Sequence, residues 1–332
     1  MSAKRSGGLL SRLPIDKYLL LIISMVVAAS FLPARGETAV GFGWATKIAI
    51  GLVFFLHGAR LSRDAVVRGL THWRLHLVVL AATFGLFPLL CLGLAALPAW
   101  ITPSALAGGI VFLGCLPSTI QSSIGFTVIG RGNVPAAIAA ASASNLLGIV
   151  LTPILVGLLL HAKGAFSVDS AWAIVLQLLA PFVAGQLLRR WIADWVVGHA
   201  PLIQIVDRGS ILLVVYTAFS GAVVEGVWSQ IGALDLVRLL ILCGALLGAV
   251  LAATVFGARA LGFSKEDEIA IVFCGSKKSL ASGVPMAGVL FPAATAGLAL
   301  LPLMLFHQIQ LMACAVIAQR YAKRADLDAV NR

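Results

Sequence analysis

The sequence predicts an all-α polytopic membrane protein, with ten transmembrane helices arranged as two inverted repeats of five helices. Of its 332 residues, 60% are hydrophobic and 11% are charged, whereas soluble domains carry about 25% charged residues. Apolar runs of roughly 20 residues, the length that crosses a bilayer as a helix, recur from end to end. Transmembrane β-barrels show alternating segments of about ten residues instead. Two of the runs are interrupted by polar residues at matching places in the two halves, which favours the repeat.

The apolar runs are counted as ten spans within a single transmembrane domain, 1–332. The first run follows basic residues as a signal peptide would, but no small-x-small cleavage site follows it, so we expect an uncleaved helix. Five spans per half place the first repeat at 15–161 and the second at 170–320, and the odd number inverts the second half. The runs cover 18–32, 44–58, 75–97, 104–129, 135–160, 171–188, 208–224, 236–262, 267–291 and 294–319.

The distribution of basic residues predicts the orientation. With the N-terminus inside, 18 of the 24 Lys and Arg fall in cytoplasmic segments, including a basic loop at 60–74. This asymmetry predicts a multi-pass protein of the plasma (inner) membrane with both termini cytoplasmic. Clusters between apolar runs are not a nucleic-acid-binding pattern, so no nucleic acid is expected. The basic residues on the opposite side are Arg35, Lys47, Lys163 and Arg238.

Two interrupted runs form the predicted site. A polar stretch with two lysines breaks the ninth run, and a charge at bilayer depth is tolerated where it faces a protein interior or a water-filled cavity. A proline and five polar side chains break the fourth run. Matching broken helices predict a substrate and ion site near the membrane midplane, because their free backbone groups face the bound species. The residues assigned to it are Pro117, Ser118, Thr119, Gln121, Ser122, Ser123, Cys274, Gly275, Ser276, Lys277, Lys278, Ser279 and Ser282.

The deep lysines have two interpretations. Lys277 and Lys278 could snorkel to an interface, or at least one could face the cavity and either attract an anion or occupy a cation's place. Burial and a like-charged neighbour would each favour the neutral amine, which makes proton coupling an option. Asn145 and His307 are added to the site, although both could instead hydrogen-bond between helices.

Other chemistries find no support in the sequence. None of the 13 Asp and Glu lies deep within a span, so a carboxylate cage for a cation is not expected. The five cysteines lack CxxC or Cys/His spacing, which argues against a disulfide framework or a zinc site. No metal or other cofactor is expected, and no enzyme motif occurs.

The two interrupted stretches resemble the bile acid:sodium symporter superfamily, and in detail its divergent SBF-like branch. The stretch Phe273-Cys-Gly-Ser-Lys-Lys-Ser-Leu-Ala-Ser-Gly-Val-Pro-Met286 is similar to the signature of that branch, and Leu116-Pro-Ser-Thr-Ile-Gln-Ser-Ser123 is similar to its partner in span four. The resemblance covers essentially the whole chain. It implies a panel group of helices (spans 1, 2, 6 and 7) and a core group (3–5 and 8–10). It also implies that helices 4 and 9 cross near the membrane centre and that sodium drives alternating access.

The resemblance also relates single positions. Sodium-coupled members carry Glu in the ninth helix and Gln four residues later, often followed by Asn, and these positions hold Cys274, Lys278 and Ser279 here. The family's Ser-Asn pair in helix four corresponds to Ser122-Ser123, and a Thr in helix five corresponds to Asn145. The missing carboxylate and the nearby ammonium disfavour a bound sodium ion, so sodium coupling is not carried over.

We therefore expect a secondary active transporter that moves a small organic anion by alternating access through 117–123 and 276–282. Its partners would be this substrate and the lipid bilayer, and it would be sodium-independent or proton-linked. The alternative is a non-transporting regulatory membrane protein of the same fold, because the resemblance includes eukaryotic members of this branch and so implies a link to calcium homeostasis.

Overall fold

The structure, a computed structural model, describes residues 17–60, 72–161, 168–226 and 231–330, and within these ranges the chain is helical with no strand. Lys4, Arg5 and Arg12, residues 61–71 of the predicted basic loop at 60–74, and Lys163 lie outside the described residues. The helices are α1 Lys17–Phe31, α2 Gly36–Arg60, α3 Trp73–Ala95, α4 Ser104–Cys115, α5 Gln121–Ile129, α6 Val134–His161, α7 Val168–Gly198, α8 Ala200–Val224, α9 Ala233–Ala260, α10 Lys265–Gly275, α11 Leu280–Leu290 and α12 Ala293–Val330.

Long apolar helices confirm the predicted polytopic membrane protein. In the described part of the chain, six helices are long and apolar enough to cross a membrane: α2, α3, α6, α8, α9 and α12. Several helices extend beyond the apolar runs that predicted them. For example, α8 begins eight residues before its run, at Ala200, and carries the polar turn Asp207-Arg208 within the helix. Such extensions occur because a helix continues into the interface wherever backbone hydrogen bonds can be kept.

The fourth run divides into α4 and α5, as the sequence predicted. Leu116, directly after α4, has φ −75° and ψ 153°, an extended conformation. Pro117 follows it, and a residue before proline is disfavoured in the α region by a clash with the proline ring. The helix therefore ends at Cys115, and the chain runs without helical structure to Gln121.

The ninth run also divides, into α10 and α11. Helix α10 ends at Gly275, and Ser279 is extended with φ −82° and ψ 113°. The Ser279 hydroxyl accepts a hydrogen bond from the backbone N–H of Ser282, which satisfies one of the free donors at the start of α11. The serine at the end of the lysine pair is therefore a helix N-cap.

Helix α3 contains a π-helical turn at Ala82–Leu86. The backbone N–H of Phe87 donates to the carbonyl of Ala82, one residue farther back than in an α-helix. Pro88 follows and has no N–H to donate. The carbonyl of Thr83 is therefore left without its usual helical donors, which matters for the site below.

Helices α1, α2, α7 and α8 pack on one another as one group. The close approach of α2 and α7 depends on glycine. A Cβ at Gly58 would collide with the carbonyl oxygen of Phe182, and a Cβ at Gly185 would collide with that of Phe55. Small residues let transmembrane backbones approach in this way. Helix α12 packs against both this group, through α8, and the helices around the two breaks, through α4.

Candidate functional site

The two helix breaks contact each other directly. The backbone N–H of Ser279 donates to the carbonyl of Pro117 at 2.9 Å. The hydroxyl of Ser118 donates to the carbonyl of Cys274 at 2.5 Å, and the hydroxyl of Ser123 donates to the carbonyl of Phe273 at 2.8 Å. Backbone groups freed by each break are thus satisfied by the other break, which offsets the cost of burying them without a partner.

Asn145 on α6 joins both breaks through its side-chain amide. Its Nδ2 donates to the carbonyl of Ser118 at 2.6 Å, and its Oδ1 accepts from the hydroxyl of Ser282 at 2.7 Å. The neighbouring Ser144 hydroxyl accepts from the backbone N–H of Ser118 at 3.0 Å. The sequence left two roles open for Asn145, a site residue or a hydrogen-bond partner between helices. Asn145 has both, because it also lines the cavity described below.

Lys278 is fully buried, with 0% of its surface exposed. Its Nζ donates to three backbone carbonyls, those of Thr83, Gly114 and Leu116, each at 2.7 Å. Its own backbone N–H and carbonyl are held by the side-chain amide of Gln310 on α12, both at 2.9 Å. The ammonium is thus satisfied without a carboxylate, which is the requirement for burying such a group.

Lys277 is also fully buried but points elsewhere. Its Nζ donates to the carbonyl of Ser122 at 2.8 Å and lies 4.0 Å from the ring centroid of Phe126 and 5.3 Å from that of Phe273. The ring faces supply cation–π attraction. The side chains of the two neighbouring lysines therefore point in different directions and bind different carbonyls, as expected where the backbone leaves a helix.

The remaining predicted residues of the second break are enclosed. The Cys274 thiol donates to the carbonyl of Ala137 at 3.6 Å, and the Ser276 hydroxyl donates to the carbonyl of Val272 at 2.6 Å. Gly275 is packed so closely that a Cβ there would lie 3.2 Å from the Thr254 methyl carbon. Together these contacts make the end of α10 part of the packed interior.

A cavity of about 730 Å³ lies where the two breaks face the α1, α2, α7 and α8 group. Its lining combines apolar side chains, such as Ile22, Phe54 and Phe182, with hydroxyl and amide groups from the breaks. Of the predicted site residues, those that line it are Thr119, Gln121, Ser122, Asn145, Ser279, Ser282 and His307. His307 also meets Gln310 Nε2 at 2.9 Å through Nδ1, so it both lines the cavity and contacts a neighbour on its own helix.

The other predicted residues lie behind this lining. Neither Lys277 nor Lys278 borders the cavity, so the expectation that a lysine faces it is wrong, and both are too deeply buried to snorkel. The physical reason is that backbone carbonyls around the breaks accept hydrogen bonds from both ammonium groups, and this turns the two side chains away from the cavity. The predicted residues that do not line the cavity are Pro117, Ser118, Ser123, Cys274, Gly275, Ser276, Lys277 and Lys278.

Charged residues of α2 and α8, which sequence reasoning did not assign to the site, also line the cavity. Arg60 Nη1 lies 2.9 Å from Asp207 Oδ2, and His57 Nε2 lies 3.9 Å from Asp207 Oδ1. Arg208 lies beside them on α8. Sequence reasoning placed Arg60 in a basic loop, and the signal it could have used is the three-residue spacing that puts Phe54, His57 and Arg60 near one face of α2.

A second cavity of about 480 Å³ lies toward the other end of α2 and α8, lined in part by Thr46, Lys47 and Thr217. Ile50 lies on α2 between the residues that line the two cavities. A Cβ at Gly288 would lie 3.3 Å from Ile50 Cδ1 and 3.1 Å from Val214 Cγ1. Val214 and Gly288 line the second cavity, so Ile50 packs against its wall.

Comparison with known proteins bears on what such a pair of broken helices does. The model of the SBF-like CPA transporter family matches residues 16–323, nearly the whole chain. The chain belongs to this family. It therefore belongs to the bile acid:sodium symporter superfamily that the two motifs indicated, and the family is one of transporters rather than enzymes.

Three relatives of this SBF-like family member show how far the similarity extends. An uncharacterized protein of Pseudomonas aeruginosa is 59% identical, and the "Putative symporter YfeH" of Escherichia coli is 51% identical, each over 94% of both chains. "Sodium/bile acid cotransporter 7" of Rattus norvegicus is 29% identical over 86% of this chain and 84% of its own. The similarity to all three thus includes both helix breaks.

Proposed function

We propose that this family member is a secondary transporter that moves a small organic anion by alternating access. The observation that carries the proposal is the 730 Å³ cavity, which is lined by hydroxyl and amide groups of both breaks and by two arginines. A cavity of this size encloses a small organic molecule, and a mainly apolar wall with a few polar groups is typical of such sites.

The charge of the cavity favours an anion. Arg60 and Arg208 line it, whereas Asp207 is the acid among its lining residues, and Asp207 is already paired with Arg60. The exposed fractions of the paired side chains are 34% for Arg60 and 23% for Asp207. Because this ion pair is partly exposed, the Arg60 guanidinium can give up one of its hydrogen bonds to Asp207 or water and bind a substrate carboxylate instead. A guanidinium binds both carboxylates in the same geometry.

The architecture that suits this function is the ten-span inverted repeat. The packing of α1, α2, α7 and α8 supports a panel group, and the remaining helices, including both breaks, would form the core group. The two cavities at opposite ends of α2 and α8 support access from each side in turn, with the packing of Ile50 and Val214 against Gly288 as the barrier. In this proposal the protein lies in the inner membrane with both termini cytoplasmic, so the larger cavity opens to the cytoplasm.

The proposed transport does not use the sodium site of typical symporters. The position of the family's carboxylate holds the Cys274 thiol, which is buried and bonded to Ala137. The position of the family's glutamine holds Lys278, whose ammonium occupies the carbonyls next to the break. These residues do not fit a bound sodium ion, which leaves proton coupling or exchange of anions as the driving reaction.

The binding step is tested by thermal unfolding of the purified chain with a panel of carboxylates and sulfonates, and with amines of the same size as controls. We expect stabilisation by at least one anion and by none of the amines. Stabilisation by amines alone would contradict an anion site. Stabilisation by an anion that is never transported would support the regulatory alternative instead.

A further inference from the structure

The ammonium group of Lys278 lies in a cage of backbone carbonyls. Its three N–H donors meet three carbonyl oxygens, of Thr83, Gly114 and Leu116, at 2.7 Å each. The ring centroid of Phe87 lies 4.2 Å from the same nitrogen. Among the described residues, no carboxylate lies within ion-pair distance of it. The cage therefore consists of dipoles and a ring face rather than charges.

Each carbonyl of the cage is free for a reason in the sequence. Thr83 has lost its helical donors, because the N–H of Phe87 bonds to Ala82 in the π-helical turn and Pro88 has no N–H. Gly114 and Leu116 lie at the end of α4, where the last carbonyls of a helix lack partners. The C-terminal end of a helix also carries partial negative charge, which favours a cation.

The geometry points to a monovalent-cation site built from these carbonyls and filled by the chain's own lysine. Rings of backbone carbonyls bind monovalent cations by replacing their hydration shell, and a primary ammonium adds three directed hydrogen bonds. Because the cation is tethered to residue 278, the site is occupied whatever the ionic composition around the protein. The inference does not rest on the proposed anion transport, since the cage lies behind the cavity lining.

The tethered cation also connects the two halves of the chain. Thr83, Gly114 and Leu116 belong to the first half, and Lys278 belongs to the break between α10 and α11. The backbone of Lys278 is fixed in turn by Gln310. Removal of the side chain should therefore loosen the contact between the breaks and leave a cation site that a free cation of matching size can fill.

The test uses the purified full chain with Lys278→Ala, which removes a group of the size of n-propylammonium. We expect a lower melting temperature than for the unmodified protein, and a saturable increase on addition of n-propylammonium chloride. Tetramethylammonium chloride, which has no N–H donor, should give no such increase. A response to sodium chloride beyond that to tetramethylammonium would also support the site and would extend its ligands to metal cations.

Lys277→Ala is the matched control, because Lys277 is equally buried but has one carbonyl partner instead of three. We expect no recovery by n-propylammonium in this variant. Equal responses of both variants, or of Lys278→Ala to all salts alike, would overturn the inference. Lys278→Met serves where the alanine variant does not fold. It fills the same space without a donor, and a melting temperature equal to that of the unmodified protein would show that packing alone matters.

Discussion

The hydroxyl of Ser282 donates to Oδ1 of Asn145 at 2.7 Å, across 137 positions of sequence. Through this bond α6 holds the start of α11, while the same amide holds the other break through the carbonyl of Ser118. One side chain therefore fixes the relative position of the two broken helices at the wall of the larger cavity.

Asn145→Ala should destabilise the protein by about 1–3 kcal/mol, since it leaves a buried carbonyl and a hydroxyl without their partner. Ser142→Ala, on the same helix and at the wall of the same cavity, should change stability by less than about 0.5 kcal/mol. Chemical unfolding of both purified variants provides the comparison. If the two variants are equally stable, the bridge does not hold the breaks together.

Gly58→Ala should destabilise the packing of α2 on α7, because the added methyl group collides with the backbone of Phe182. Overpacking of this kind costs about 1–3 kcal/mol. Gly51→Ala, on the same helix, adds its methyl group where no atom lies within 4 Å, and it should leave stability equal or raise it by up to about 1 kcal/mol. Thermal unfolding of the two variants is the measurement. A Gly58→Ala protein as stable as Gly51→Ala would contradict the described packing.

Arg60→Gln should weaken binding of the anion found in the thermal screen by about tenfold or more, as expected for loss of a charge-assisted hydrogen bond. Arg238→Gln is the control, because Arg238 forms a similar ion pair, at 3.0 Å to Asp235, outside both cavities. Isothermal titration gives the two dissociation constants. Equal affinities would show that Arg60 takes no part in binding.

Glu268→Gln should destabilise the start of α10 by about 1–3 kcal/mol, the range for losing charged hydrogen bonds. Glu268 is buried and accepts from Arg259, Lys265 and Tyr321. Glu266 lies in the same first turn but is exposed. Glu266→Gln therefore removes the same negative charge from the start of the helix without breaking those contacts. Unfolding curves of the two variants should therefore differ, and coincident curves would contradict the role of the buried cluster.

The sequence predicted the breaks well because their cause is local. Proline, glycine, serine and charge in the middle of an apolar run act on the backbone at their own positions, so Pro117 and the 276–279 stretch could be found without any contact. The comparisons confirm the family that these motifs indicated. Which residues face the cavity and which are enclosed depends on the fold, and there the prediction was less complete.

The lysines show why side-chain direction could not be predicted. Lys278 donates to the carbonyl of Thr83, which has no helical donor because it lies in a π-helical turn almost 200 positions away in sequence. Arg60, predicted to begin the basic loop, and Asp207 were not assigned to the site for a similar reason. Their place at the cavity wall follows from how α2 and α8 pack, and the spacing of Phe54, His57 and Arg60 alone does not distinguish a charge that lines a cavity from one at the membrane interface.

The most direct test of the account is counterflow of the identified anion in proteoliposomes of the full chain, measured with and without sodium. Vesicles loaded with unlabelled anion should accumulate the labelled anion at the same initial rate in sodium and in potassium buffer, and Arg60→Gln should lower that rate. Vesicles without protein set the background. No flux above this background, or flux that requires sodium, would contradict the account.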